Sequence, residues 1–250
     1  MHTNIEQSSL KLASLNPTYY VLHRRSYRES SQILDLFCEK QGRFSALYRV
    51  NKKQPPLQPF IPYQMQFSGR GDLKYCQHVE INYPDDSSRG LVLKGKNMYC
   101  GFYLNELIMR LTWKGELQTE LFRVYQQTLQ GLLLLEDDQQ SEPYLRRFEF
   151  HLLTLLGYQY NWLQDCDCRD IQPQNFYRFD PQVGFKIIES NAYDMVMRPE
   201  GFPGDAILAI AADNWQHKMS WQVAKQIARL ALQPLLGGKP LISRTLFQKV

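Results

Sequence analysis

The pattern of apolar and polar positions changes its period once along this chain, near residue 82. Before that point apolar residues alternate with polar ones, which is typical of half-buried β-strands. Turn residues separate the alternating segments, and a Pro-rich basic loop lies between the third and the fourth. Strands are therefore predicted at residues 19–23, 31–39, 44–50, 63–68 and 73–82. Five short strands in such a short segment favour a small closed barrel.

After residue 82 the apolar residues recur with a period of about 3.6, which predicts amphipathic helices. The helical pattern comprises three stripes that begin at Leu104, Leu121 and Leu145, and two further segments at 205–215 and 220–235. Residues 159–203 lack this period, and a β-hairpin is predicted within them at 176–188. The chain is thus predicted to be an α+β protein with two domains.

The predicted domains follow the change of period. Residues 1–18 are expected to form a flexible arm, and residues 19–82 the five-stranded barrel. Residues 83–250 are expected to form a mostly α-helical domain, in which residues 159–203 are a small inserted lobe of irregular and β structure. For the barrel, the strand count fits an oligonucleotide-binding (OB) fold and fits an SH3-like barrel almost as well.

Charge is distributed unevenly over the two predicted domains. The whole chain carries +4, but residues 1–80 contain 11 Lys and Arg against 6 Asp and Glu, hence +5. A basic block of this kind suits a polyanion such as nucleic acid, and it equally suits a solvated surface. The mean hydropathy is −0.44 and the longest apolar run, residues 206–212, has only seven residues. The sequence therefore predicts no membrane span and no export signal, and a cytoplasmic protein.

Basic residues interleaved with aromatic ones are the most informative local pattern. Single-strand binders combine a positive groove for phosphates with aromatic platforms for bases. The candidate DNA-binding residues are Arg24, Arg25, Arg43, Arg49, Lys52, Lys53, Arg70 and Lys74 in the barrel, and Lys239 and Arg244 near the C-terminus. Leu241, Leu246 and Phe247 in that C-terminal segment indicate that it docks on the protein.

Catalytic and metal-binding patterns are weak. The five histidines are far apart, and no phosphate-binding glycine loop or nucleophile motif is present. Cys166 and Cys168 are separated by one residue, whereas a structural zinc site usually has two pairs of ligands. We therefore predict no enzyme activity, no cofactor and no metal.

Several segments together resemble the bacterial RecO family of DNA repair proteins. Their order and spacing along nearly the whole chain carry the resemblance, rather than any one of them. The segments are residues 21–24, 29–31, 34–37, 42–43, 57–60, 69–74, 103–107, 120–122, 145–149, 156–158, 236–241 and 243–247.

The resemblance implies an N-terminal OB domain, a helical C-terminal domain and a function as a recombination mediator. Such proteins bind single- and double-stranded DNA and anneal complementary strands. With RecR they help to load RecA onto strands covered by single-stranded DNA-binding protein (SSB), so nucleoid association within the cytoplasm is expected. Many relatives carry a four-cysteine zinc site in the inserted lobe, but only Cys166 and Cys168 are present here.

The resemblance also implies binding of the acidic C-terminal tail of SSB. A tail carboxylate calls for an arginine beside an apolar pocket. Leu145, Arg146, Arg147 and Phe148 are the candidate residues. Both arginines could instead serve in surface ion pairs, and Glu142 precedes Arg146 by four residues, the favoured order for a helical pair.

Two alternatives remain open from the sequence. The first is an adaptor whose barrel binds protein rather than DNA, which a basic face covered by acidic side chains would favour. The second is a nuclease, which requires clustered carboxylates for Mg²⁺ that the sequence does not show at a recognisable spacing.

Overall fold

Alternation of inward apolar and outward polar side chains closes the first part of the chain into a β-barrel. The computed structural model describes residues 17–53, 55–69, 73–83, 92–135, 141–189, 201–217 and 219–246. The barrel strands are β1 (Thr18–Tyr27), β2 (Ser31–Cys38), β3 (Gly42–Arg49), β4 (Tyr63–Ser68) and β5 (Leu73–Ile81).

The strand order around the barrel is β1-β2-β3-β5-β4. All neighbouring pairs are antiparallel except β3 and β5, which run parallel. Leu34, Leu36 and Ala46 are fully buried inside it, and Tyr19, Phe44 and Phe67 contact one another edge to face. This closed barrel confirms the OB prediction over the SH3-like alternative, because its order and strand count are those of the OB fold.

Two helices belong to the same compact unit as the barrel. They are α1 (Gly95–Leu111) and α2 (Thr119–Leu134), which bury Leu104, Leu107, Leu121 and Leu129 as the sequence stripes predict. An aromatic cluster joins α2 to the outside of β1 and β2, since Tyr20 and Phe37 pack against Phe122 and Tyr125.

Asn105 of α1 is a buried polar side chain whose amide makes hydrogen bonds with Leu22 and Tyr125. Its Nδ2 donates to the backbone oxygen of Leu22 at 2.9 Å, and the Tyr125 hydroxyl donates to its Oδ1 at 2.6 Å. Complete burial raises the pKa of Tyr125, so its hydroxyl stays a donor. Buried polar groups bonded in this way fix the register of packed elements.

The C-terminal segment docks on α1, as predicted from its apolar residues. Leu241 is buried, and the short helix α6 (Ser243–Leu246) follows it. Both oxygens of the Glu106 carboxylate accept hydrogen bonds there, at 2.9 Å from the Ile242 N–H and at 2.6 Å from the Ser243 hydroxyl. Phe247 lies outside the described residues.

Contacts divide the chain into two compact units. Unit 1 comprises residues 1–138 and 241–250, and unit 2 comprises residues 139–240. The predicted division at residue 82 follows secondary structure instead, so those domain boundaries stay a prediction. The predicted arm at 1–18 lies outside the described residues up to Asn16, and Thr18 already begins β1.

Unit 2 is built from helices α3 (Ser141–Leu155), α4 (Gly204–Ala211) and α5 (Ser220–Leu235). The predicted hairpin is present as β6 (Phe176–Asp180) and β7 (Gly184–Ile187), and β8 (Phe202–Pro203) pairs with β6 to complete a three-stranded sheet. Among the described residues, no helix is both long and apolar enough to cross a lipid bilayer.

Candidate nucleic-acid interface

The outward side chains of β1, β2, β3 and β5 form an exposed face of mixed character. Strand register aligns them in two rows, because side chains of paired residues lie on the same side of a sheet. We call these residues the β2–β3 face; its rows are Arg25–Ile33–Leu47–Tyr75 and Tyr27–Ser31–Arg49.

Both arginines and both tyrosines of the β2–β3 face reach solvent. Tyr75 is 54% exposed and Tyr27 is 36% exposed, which is unusual for aromatic side chains on a small barrel. Arg25 and Arg49 are exposed as well. The face therefore offers rings for stacking beside cations for phosphates.

Two more cations lie just beyond the end of β3. Lys52 and Lys53 are exposed in the turn that follows it, and the Lys53 N–H donates to Asn51 Oδ1 at 2.8 Å. The turn shows a side-chain oxygen bonded to a backbone N–H two residues on, a common device of Asn in turns. The basic character of the β2–β3 face thus continues past Arg49.

The loop between α1 and α2, residues 112–118, is fixed against the start of β3. The Gly115 N–H donates to the Arg43 oxygen at 2.7 Å. Gly42 has a φ of +62°, and a Cβ there would lie 1.8 Å from the Glu116 oxygen, so only glycine fits. The loop is therefore held in one place relative to the barrel.

This loop presents the most exposed large apolar side chain of the described residues, Trp113, which is 81% exposed. The adjacent Lys114 donates to Asp35 at 2.7 Å and to Ser45 at 2.6 Å on the outside of β2 and β3. Burial would raise the pKa of Asp35, but hydrogen bonds from Lys114 and Ser45 outweigh it and lower that pKa. Lys114 thus anchors the loop that carries Trp113 to the strands of the β2–β3 face.

Sequence reasoning missed Trp113 and Lys114. The helical stripe of α1 runs up to Leu111, so Trp113 reads as its continuation rather than as a loop residue. Only the contact of Lys114 with two strands that are distant in sequence reveals where this loop lies.

Arg43 does not belong to the β2–β3 face, contrary to the prediction. It is 6% exposed, and its Nη1 donates to the carbonyl oxygens of Ile108 at 3.1 Å, Met109 at 2.7 Å and Thr112 at 2.6 Å. Burial lowers its pKa and the charge of Asp35 partly opposes this. Arg43 caps the C-terminal end of α1, where four carbonyls lack helical partners, and a phosphate has no access to it.

Arg24 and Lys74 are placed differently from Arg25. Alternation along β1 directs Arg24 to the opposite side from Arg25, and its Nη1 donates to the Leu57 oxygen at 2.8 Å. Lys74 lies 5.0 Å from the centre of the Phe44 ring and donates to Gln41 at 3.1 Å. Arg70 lies outside the described residues.

The two predicted C-terminal contacts are in different units. Arg244 lies 5.8 Å from the ring of Tyr103 in unit 1, beside the docked segment. Lys239 is exposed in unit 2. Their part in DNA binding stays a prediction.

Three of the four predicted SSB-tail residues are buried. Leu145 is 6%, Arg146 4% and Phe148 0% exposed. Arg146 Nη2 lies 2.8 Å from Glu149 Oε1 and 3.8 Å from Glu142 Oε2, so Arg146 takes part in ion pairs, including the anticipated one with Glu142. The pair is internal rather than at the surface, which removes these three residues from any exposed docking site.

Arg147 is the exception among the four. Its guanidinium is exposed and binds both carboxylate oxygens of Asp213, at 2.8 and 2.7 Å. This contact raises the pKa of Arg147 and lowers that of Asp213. The rings of Tyr144 and Trp215 each lie 5.8 Å from the guanidinium carbon.

The cysteine loop of unit 2 is organised by a carboxylate. Cys166 and Cys168 are exposed, and Oδ1 of the preceding Asp165 accepts the N–H groups of Asp167 at 3.0 Å and Arg169 at 2.9 Å. In the described part of the chain, no three His, Cys, Asp or Glu side chains come together as a metal site would require.

A closed barrel of this strand order, with an exposed face over β2 and β3, defines a protein of the OB class, which uses that face for oligonucleotides and oligosaccharides. Family models identify it further. The model described as Recombination protein O N terminal matches residues 15–84, and Recombination protein O C terminal matches residues 93–245. The chain belongs to the RecO family.

Individual relatives agree over nearly the full length. DNA repair protein RecO of Pseudomonas aeruginosa (strain UCBPP-PA14) is 37% identical over 91% of this chain and 92% of its own. The protein of the same name from Cellvibrio japonicus is 38% identical over 91% and 94%, and that from Marinobacter nauticus is 35% identical over 91% and 92%.

Proposed function

We propose that this protein acts in DNA repair and homologous recombination as a DNA-binding mediator. It binds single- and double-stranded DNA, anneals complementary strands and, with RecR, helps to load RecA onto SSB-coated single strands. Membership of the RecO family supports the repair and recombination role. The observation that carries DNA binding is the β2–β3 face, where exposed arginines and tyrosines alternate on adjacent rows.

Annealing follows from the same arrangement without a catalytic group. Arg25, Arg49, Lys52 and Lys53 neutralise phosphates and so reduce the repulsion between two strands. Stacking on Tyr27 or Tyr75 engages the flat side of a base and leaves its Watson–Crick edge available for a partner. A basic face covered by acidic side chains would favour the adaptor alternative; Asp35, at the edge of this face in unit 1, is paired with Lys114.

Removing two cations from the β2–β3 face should weaken binding and flatten its salt dependence. For Arg25→Ala together with Arg49→Ala, we expect the slope of log affinity against log salt to fall in magnitude by about 1.4, at about 0.7 per phosphate contact on a single strand. Titration of labelled oligo(dT) by anisotropy at several salt concentrations measures this slope.

The matched control removes the same charge from unit 2. Arg178→Ala with Lys186→Ala changes two exposed cations of the β6–β7 hairpin, and we expect the wild-type slope. Equal slopes for both double variants would refute the β2–β3 face as the DNA site.

Trp113 supplies a spectroscopic test of the same face. It is the one tryptophan of the sequence before residue 139. We expect oligo(dT) to quench part of the protein fluorescence and Trp113→Phe to remove that quenching while affinity stays near wild type. Trp113→Ala should weaken binding by about 5- to 150-fold, because stacking on an aromatic ring contributes about 1–3 kcal/mol per base. Unchanged quenching in Trp113→Phe would place the bound bases elsewhere.

For the acidic tail of SSB, we propose a site in unit 2 on the exposed side of α3 that carries Arg147. The supporting observation is a solvent-exposed guanidinium 5.8 Å from each of the rings of Tyr144 and Trp215, which suits a carboxylate next to an aromatic side chain. The tail must compete with Asp213 for this guanidinium. Binding of a tail peptide to Arg147→Ala, compared with wild type, tests the site.

A further inference from the structure

A cavity of about 420 Å³ lies in unit 1, away from the residues of the β2–β3 face. It is bounded by the bulged part of β1, the loop that precedes β4 and the beginning of α1. Its walls are mostly apolar, and its polar lining consists of His23, Arg24 and Gln58. No acidic residue is among the lining residues that the structure describes, so the site favours an anionic ligand with an apolar group.

The walls of the cavity are held in a demanding geometry. Phe60 has a φ of +67°, the left-handed region that side-chain-bearing residues rarely occupy. A Cβ on Gly101 would lie 2.7 Å from the Phe60 ring and 2.9 Å from Leu93, so α1 needs glycine there. The rings of Phe60 and Phe102 meet edge to face at 5.0 Å. Strain of this kind persists only where the surroundings fix it, and it is concentrated at ligand sites.

Arg24 is the cation positioned at this cavity. Its Nη1 donates to the Leu57 oxygen at 2.8 Å, which fixes one end of the guanidinium at the lining loop. A guanidinium has five N–H donors in a rigid fork, so one fixed bond leaves a carboxylate partner within its capacity.

The edge of β1 next to the cavity has few strand partners among the described residues. β1 pairs with β4 only at Thr18 and Tyr19, whereas it pairs with β2 as far as Tyr27. Among the strands of the described residues, none adds to β1 on the β4 side beyond Tyr19. Unpaired N–H and C=O groups on such an edge are a template for an extended peptide.

We propose that this cavity and edge are a docking site for an extended, acidic peptide segment of a partner protein. The segment adds to β1 alongside residues 23–27, inserts one large apolar side chain into the cavity and places a carboxylate on Arg24. Backbone pairing supplies affinity and the cavity supplies specificity, as in other strand-addition complexes. This site is independent of DNA binding, because Arg24 and Arg25 lie on opposite sides of β1.

The probe is a fluorescein-labelled hexapeptide, Val-Glu-Val-Phe-Val-Glu, whose Glu and Phe side chains share one face when it is extended. It is titrated with the full-length protein and followed by anisotropy. We expect saturable binding that is weakened at least about tenfold when Lys replaces every Glu, because attraction to Arg24 then becomes repulsion. A similar loss is expected when Ala replaces Phe, because the apolar anchor in the cavity is removed.

Two variants locate the peptide, and one neighbour serves as the control. Arg24→Glu reverses the cation, and Val92→Trp fills the cavity from a side chain that is 50% exposed, so neither disturbs a buried group. Each should weaken peptide binding at least about tenfold, and Val92→Trp, which alters no charge, should leave oligo(dT) binding near wild type. Arg25→Glu should do the reverse.

Three results would overturn the proposal. The first is that the wild-type protein does not bind the peptide. The second is that wild type and both site variants bind the peptide with equal affinity. The third is that oligo(dT) displaces the peptide and that Arg24→Glu loses DNA binding. The last result would assign the cavity to nucleic acid. Loss of oligo(dT) binding in Arg25→Glu alone supports the DNA function separately, so the two ideas fail independently.

Discussion

Replacing Arg43 by Met should lower the free energy of unfolding by about 3 kcal/mol, because it leaves buried carbonyl groups without a donor. Methionine preserves most of the volume but cannot donate to the oxygens of Met109 and Thr112, whereas the Ile108 oxygen keeps the N–H and the hydroxyl of Thr112 as donors. These oxygens lie at the C-terminal end of α1, where intrahelical donors run out. Urea unfolding followed by circular dichroism measures the loss as a shift in midpoint at constant slope.

The control for this prediction is Arg49→Met. Arg49 is exposed on the same strand six residues later, so its removal should change stability by less than about 0.5 kcal/mol. DNA binding should respond in the opposite order, with Arg49→Met weaker and folded Arg43→Met near wild type. If Arg43→Met were as stable as the wild type and bound DNA poorly, Arg43 would be a DNA contact after all.

Replacing Arg146 by Ala should destabilise unit 2 by about 3–5 kcal/mol. Arg146 and Glu149 are 4% and 1% exposed, so removing the guanidinium leaves a carboxylate buried without its closest cation. The network extends to α5, because Lys225 binds Glu142 on the other side of Arg146. Thermal unfolding with a probe in unit 2, such as tryptophan fluorescence of Trp162, reports the loss.

Two further variants separate charge burial from surface pairing. Arg146→Met combined with Glu149→Leu removes both charges, and we expect it to recover most of the lost stability, since apolar replacements of a buried pair are often neutral. Arg147→Ala breaks an exposed pair with Asp213 and should cost about 1 kcal/mol or less. A mild effect of Arg146→Ala would show that the pair is not buried in solution.

This prediction also bears on the SSB tail. An Arg146→Ala variant that loses tail binding while its unit 2 is destabilised would report a structural effect. Arg147→Ala, whose guanidinium is exposed, is the variant that tests docking directly. The two substitutions should therefore be compared at a temperature at which both proteins remain folded.

The strands were largely predictable because one face of each is buried. Alternation in β3 and β4 identified Phe44, Ala46, Tyr63 and Met65 as inward residues, and each is buried. β1 extends to Tyr27, whereas the alternation predicts its end at residue 23. The prediction stops early because the last five residues of β1 are exposed and carry no apolar alternation. The apolar alternation therefore predicts only the part of β1 that has a buried face.

The sequence does not show in the same way which arginines are buried and which are exposed. Arg43 follows a glycine at a turn, and Arg25 follows another arginine, so both look like surface residues. Arg43 is buried because the end of α1, 65 residues further along the chain, packs over it. For Arg146 the sequence leaves tail binding and ion pairing open, and its spacing predicts an ion pair with Glu142. The sequence analysis does not identify the closer partner, Glu149 at i+3.

Glu106 has a consequence for how the chain is made. Unit 1 includes Ile242 and Ser243, which the Glu106 carboxylate holds against α1, although the 102 residues of unit 2 come between. At about 5–20 residues per second, synthesis of that stretch takes about 5–20 s. During this time the Glu106 carboxylate lacks its final hydrogen-bond partners, so unit 1 is incomplete. Unit 2 therefore has time to fold before unit 1 is completed.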